Sequence, residues 1–159
     1  LDAKGELGWE SGRFANKGRA EAHVIEILTE AAPPPYRAYL RKRGVSYILA
    51  GKTELDRQLA MEKLYRLFHI KMLLICGGGA ADWTFLQAGL VDELSLVLSP
   101  VTDGSSGTAS VFAQFPAQGA GQPVEFDLKT VQPLGGGGLH LRYLAKNARQ
   151  SEEAGGSEL

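Results

Sequence analysis

Leu74-Ile75-Cys76-Gly77-Gly78-Gly79-Ala80-Ala81-Asp82 is the stretch whose reading decides the fold. The short apolar run Met72 to Cys76 predicts a strand, the three glycines a turn, and Phe85 and Leu86 a helix that Gly89 closes. A helix start leaves backbone N–H groups unpaired and carries partial positive charge, while glycine admits an anion close to the backbone. Gly77, Gly78 and Gly79 are therefore a candidate cradle for a pyrophosphate held without lysine. The pattern is neither the P-loop nor G-x-G-x-x-G, and a tight turn that only packs helix on sheet fits the same residues.

Upstream, the same alternation repeats. His23 to Leu28 is short, β-branched and apolar, a strand. The prolines at 33–35 suit a helix entry, Tyr36, Tyr39 and Leu40 recur at helical spacing, and Gly44 stops that helix after Arg41-Lys42-Arg43. Val45 to Ala50 is a second strand ending at Gly51. Leu55, Leu59, Leu64, Leu67 and Phe68 mark a helix between 54 and 69. Leu94 to Leu98 is a fourth strand, ended by Pro100. Strands alternating with helices on short links indicate βαβ units on a mainly parallel, doubly wound sheet. Beyond residue 100 the helical rhythm stops. Residues 102–123 read as a loop pinned by Phe112 and Phe115, and 125–131 with 139–144 as an antiparallel hairpin across Gly135 to Gly138. Residues 1–22 read as a loop region and 147–159 as a disordered tail, which leaves 23–146 as the domain.

Composition sets the class. The chain has 159 residues, 44% hydrophobic and 22% charged, which suits one soluble α/β domain. Seventeen basic against 18 acidic side chains leave a net charge of −1, with no field to recruit nucleic acid or an anionic membrane. No apolar run approaches the length of a membrane helix. Leu1-Asp2-Ala3-Lys4 opens polar, unlike a secretory signal, so a cytoplasmic location is expected. One cysteine and three scattered histidines build no structural zinc site.

Thr29, past the first strand, and Gly51-Lys52, past the second, lie where open α/β sheets bind ligands. With the glycine turn, three strand ends are expected on one edge. A turn hydroxyl and a solvated amine remain the plain alternative for Thr29 and Lys52. Cys76 has no histidine nearby in sequence and reads as a small buried residue at a strand end. Asp92-Glu93 suits a turn or an interface better than an acid/base pair, and Arg41-Lys42-Arg43 a solvated helix end.

Val45 to Gly51, Leu73 to Gly79, and Phe85-Leu86-Gln87-Ala88-Gly89-Leu90-Val91-Asp92-Glu93-Leu94-Ser95-Leu96 together resemble the reductase domain of the bacterial bifunctional deaminase-reductases of riboflavin biosynthesis. The resemblance runs from about residue 23 to 146. It implies a dihydrofolate reductase-like fold, NADPH as cofactor, hydride transfer, and a homodimer. By position, Gly77, Gly78, Gly79, Ala80 and Ala81 resemble the pyrophosphate-binding turn and helix start. Leu28, Thr29 and Gly51 resemble the strand ends flanking the adenosine half, with Thr29 placed for a 2′-phosphate and Lys52 suited to it by charge. Cys76 stands where the pyrimidine reductases commonly carry a substrate-contacting glutamate, so it is either the candidate substrate contact for a less polar ligand or the mark of a lost contact.

The implied activity is NADPH-dependent reduction of a pteridine- or aminopyrimidine-like substrate, of the 5-amino-6-(5-phosphoribosylamino)uracil reductase kind. A non-catalytic nucleotide-binding or dimerisation module, or an inactive fragment of such a reductase, is the alternative. The resemblance begins midway through the family's pattern, so the first strand and the nicotinamide end of the site are expected upstream, and no catalytic residue is assigned. Without them, Ile25, Ile27, Ile48 and Leu74 are expected to be exposed. The chain alone is then expected to be inactive and prone to dimerise or aggregate.

Overall fold

The computed structural model describes residues 1–15, 17–102, 104–114 and 121–146. They form two compact units, Leu1–Leu73 and Leu74–Leu159.

In the first unit, short strands β1 (Arg13–Phe14) and β2 (Ala22–His23) pair antiparallel inside the region expected to be loop. Strand β3 (Ile25–Leu28), helix α1 (Pro34–Lys42) and strand β4 (Ser46–Leu49) make one parallel βαβ unit, with Ile25 opposite Ser46 and Leu28 opposite Leu49. Prolines at the first two helical positions lose no intrahelical hydrogen bond, and Gly44, at φ 69°, turns the chain out of α1. Helix α2 (Arg57–Phe68) opens on Asp56, whose carboxylate accepts from Leu59 N at 2.9 Å. It closes on His69 in the left-handed conformation, φ 55°.

Because strand side chains alternate, the two-stranded sheet has two apolar faces. Ile27 and Ile48 pack with Ala60 and Leu64 of α2. Leu28 packs with Leu40 of α1 and Val45. Ile27 and Ile48 are therefore buried, contrary to the expected exposure, because α2 covers their face.

In the second unit, residues 71–78 precede helix α3 (Gly79–Gln87) without forming the expected strand from Met72 to Cys76. No described backbone pairs with that run, so its polar groups gain nothing from a ladder and Leu74 stays 78% exposed. Phe85 and Leu86 anchor α3, and Gly89 ends it at φ 66°. Strands β5 (Glu93–Leu98), β6 (Phe126–Pro133) and β7 (Leu139–Ala145) form an antiparallel sheet in the order β5-β7-β6. Among the described residues the parallel part of the fold is thus a single strand pair, and β5 runs antiparallel to its neighbour instead of extending a parallel sheet.

The hairpin across Gly135 to Gly138 forms as expected, Gly136 and Gly137 adopting φ 79° and 82°. The β6–β7 ladder is regular except for a bulge at Lys129, between Leu128 and Thr130. One face of this sheet carries Leu94, Leu96, Leu98, Leu128, Val131, Leu139, Leu141 and Tyr143. On the other, Glu93 receives Arg142 through both carboxylate oxygens, at 2.5 and 2.9 Å, and Lys129 at 2.8 Å. Phe112 stacks on Phe126 at 6.3 Å, pinning the long loop as anticipated; Phe115 and the tail at 147–159 lie outside the described residues.

Candidate functional site

The ends of β3 and β4 bring Leu28, Thr29, Gly51 and Lys52 together. Ala50 N donates to Leu28 O at 2.8 Å, Glu30 N to Gly51 O at 3.0 Å, and Ala31 N to Lys52 O at 3.0 Å. Gly51 is required by geometry: its φ is 94°, and a Cβ there would meet Glu54 O at 2.0 Å. Lys52 is exposed, so its ammonium is open to an anion. Thr29 is not. It is fully buried, and its hydroxyl donates to Ala3 O at 2.6 Å. That bond ties the N-terminal stretch to the strand end and leaves Thr29, like buried Leu28, no surface for a phosphate.

The glycine turn in the second unit divides into three different residues. Gly77 has φ 82°, which a side chain disfavours, and its peptide bond to Gly78 is cis. Gly79 is packed: a Cβ there would lie 2.4 Å from Ser110 O, and its carbonyl accepts from Ala113 N at 3.0 Å. Gly78 is extended, φ −71° and ψ 176°, and a Cβ there would meet no described atom within 4 Å. It is also the N-cap of α3 and supplies no capping side chain.

The first intrahelical bonds run from Ala81 N and Asp82 N to Gly78 O, at 2.8 and 3.2 Å. The amides of Gly79 and Ala80 precede them, at the positively polarised end of the helix. Open space at Gly78 beside these donors fits a diphosphate. Asp82 opposes it: this first-turn acid keeps its Oδ1 buried, with no hydrogen-bond partner among the described residues. The sequence signal for Asp82 is an acid placed directly behind a glycine turn, a residue given no role among the candidates above.

Cys76 is exposed, not buried, because the strand expected to shelter it does not form. Glu93, by contrast, is an ion-pair partner; Arg142 and then Lys129 hold its carboxyl down at about 2, which disqualifies it as a general acid. His23 and His140 each pair with a serine hydroxyl at 2.8 Å, Ser46 and Ser95 respectively. Among the described residues, no three His, Cys, Asp or Glu side chains gather as metal ligands, and no helix is long and apolar enough to cross a membrane.

The family model of the RibD C-terminal domain matches residues 10–140. A 2,5-diamino-6-ribosylamino-4(3H)-pyrimidinone 5′-phosphate reductase of Methanothermobacter thermautotrophicus is 34% identical over 84 residues, 53% of this chain and 38% of that protein. Its counterpart in Aquifex aeolicus is 33% identical over 84 residues, 53% of this chain and 37% of that protein. The match thus spans well under half the length of either relative.

Among solved structures, a pyrimidine reductase-like protein of Corynebacterium diphtheriae superposes with a TM-score of 0.62 at 20% identity, covering 76% of this chain and 49% of that one. RibD of Acinetobacter baumannii gives 0.57 at 22%, covering 84% and 42%. These likenesses establish a shared α/β fold. With the family model matching most of its length, the chain belongs to the RibD C-terminal domain family.

Proposed function

We propose that this chain carries the cofactor-binding part of an NADPH-dependent reductase acting on an aminopyrimidine-like compound in riboflavin biosynthesis. The observation that carries the reading is Gly78, the one glycine of the turn with open space at its Cα, set at the start of α3. The names of the two curated relatives favour an aminopyrimidine phosphate over a pteridine. Gly78, Gly79 and Ala80 would hold the diphosphate through backbone; the family resemblance alone assigns Gly51 and Lys52 to the adenosine half. Cys76 is kept as the candidate substrate contact, supported by its exposure. When bound, NADPH supplies the hydride; the chain's own residues bind it and orient it.

A cytoplasmic homodimer is part of the same proposal. The apolar face of the β5-β7-β6 sheet, where Leu98, Leu128 and Val131 are at least half exposed, supports the dimer.

Calorimetric titration with NADPH tests the reading. Gly78→Val places a β-branched side chain in a backbone region it favours, so the fold should be kept. NADPH affinity should drop at least about tenfold, or about 1.4 kcal/mol. Unchanged affinity would put the diphosphate elsewhere. If Lys52 meets a 2′-phosphate, Lys52→Gln should weaken NADPH and leave NADH unaffected, a charge-assisted contact being worth about 1.5–3 kcal/mol. Equal binding of both cofactors by the unaltered chain would remove that role.

A further inference from the structure

Glu26 is a carboxyl group 2% exposed in an apolar core. Its surroundings come from three elements. Residues 1–9 contribute Asp2 and Trp9, α1 contributes Tyr36 and Tyr39, and β4 sets Tyr47 opposite it in the ladder. The nearby cations are engaged elsewhere: Arg41 donates to Tyr47 Oη at 2.6 Å, and Arg43 lies over the Tyr39 ring.

The hydroxyl of Tyr36 lies 2.7 Å from Leu7 O, 3.0 and 3.1 Å from the two oxygens of Glu26, and 3.4 Å from Asp2 Oδ2. A phenol carries one proton, and a backbone carbonyl can only accept. Only one of these acceptors can hold that proton at a time; when Tyr36 gives it to Leu7 O, its shortest contact, Glu26 stays beside the phenol oxygen as the protonated acid. Asp2 needs none, because its carboxylate accepts from the amides of Gly5, Glu6 and Leu7 at 3.0, 2.6 and 2.9 Å.

We propose that Glu26, Tyr36 and Asp2 form a proton-loaded latch that fastens residues 1–9 over the carboxyl end of β3 and loosens as Glu26 ionises. The fastened stretch is bonded there directly: Asp2 N donates to Ile27 O at 2.9 Å, Thr29 Oγ1 to Ala3 O, and Tyr39 Oη to Trp9 O. The latch therefore keeps Thr29 covered. That Thr29 neighbours a cofactor rests on the proposed function; the latch itself does not.

Burial raises the Glu26 pKa above its ordinary 4.5, and Asp2 raises it further; the Tyr36 hydroxyl, when it turns its proton to Glu26, only partly offsets this. The amides around Asp2 outweigh its own burial and hold it below 3.8. A raised pKa in the docked state means docking is strongest below 4.5 and weakens as pH climbs through the docked value. For Asp2 the sign reverses, and docking weakens as pH falls below 3.8. The latch is tightest near pH 4 and loosens toward neutrality.

Amide hydrogen exchange of the 159-residue chain, corrected for intrinsic rates, reads this directly. Protection at Gly5, Glu6, Leu7 and Thr29 should fall by up to about tenfold per pH unit above 4.5, then level off, while Ile48 in β4 stays protected. Glu26→Gln, whose amide always offers a proton, should abolish the decline; Tyr36→Phe should remove protection at Gly5 to Leu7 at every pH. A flat profile in the unaltered chain, or a decline that persists in Glu26→Gln, would overturn the proposal. The unaltered profile alone decides the matter if the variant does not fold.

Discussion

Gly77, Gly78 and Gly79 look identical in a sequence and answer to three different constraints. Gly79→Ala should be costly, since the added methyl would lie 2.4 Å from the Ser110 carbonyl. A loss of about 1–3 kcal/mol is expected by denaturant unfolding, with no cofactor present. Gly78→Ala should be neutral in the same measurement. His69 holds φ 55° at the end of α2, a conformation that costs a side chain about 1 kcal/mol. His69→Gly should therefore stabilise the chain by a few tenths to about 1 kcal/mol in a urea titration. At the same scale Thr29 takes up the plainer of its two expected roles, a buried hydroxyl holding a neighbouring backbone. Its hydroxyl partner, the Ala3 carbonyl, is 26 positions away, and no local pattern announces such a bond.

Elements whose signal is local were legible. The prolines and Gly44 bracket α1, the leucines of α2 recur with the helical period, and the four glycines give the β6–β7 hairpin. Met72 to Cys76 was misread because an apolar run becomes a strand only if another backbone lies alongside, and composition says nothing about that. The core of the βαβ unit is open to a direct check. Leu28 and Leu40 are fully buried against each other's elements, and truncating either to alanine should cost about 2–5 kcal/mol in equilibrium unfolding. The hairpin offers a test of another kind. Lys129 is the extra residue of a bulge, so deleting it should regularise the ladder without turning Phe126, Leu128 or Val131 to the opposite face. Deleting Asp127 should instead move Leu128 to the charged face and set Lys129 opposite Tyr143, weakening the sheet, as urea unfolding followed by circular dichroism would record.

At the scale of the molecule, the family was legible in the glycine turn and the block from Phe85 to Leu96, while the division into two units was not. The apolar face of the antiparallel sheet makes the dimer testable. Sedimentation should show self-association that Leu128→Lys with Val131→Lys abolishes, leaving the melting of the βαβ unit in place. The run joining the units has a separate consequence. Lys71 and Met72 are exposed, Leu74 is 78% exposed, and no described ladder protects the peptide bonds around them. A protease needs a stretch of extended, accessible backbone, and this chain presents one between two compact bodies. Brief trypsin treatment should cut first after Lys71. The same peptide bond is then the natural point at which to divide the gene, expressing the two bodies as separate polypeptides.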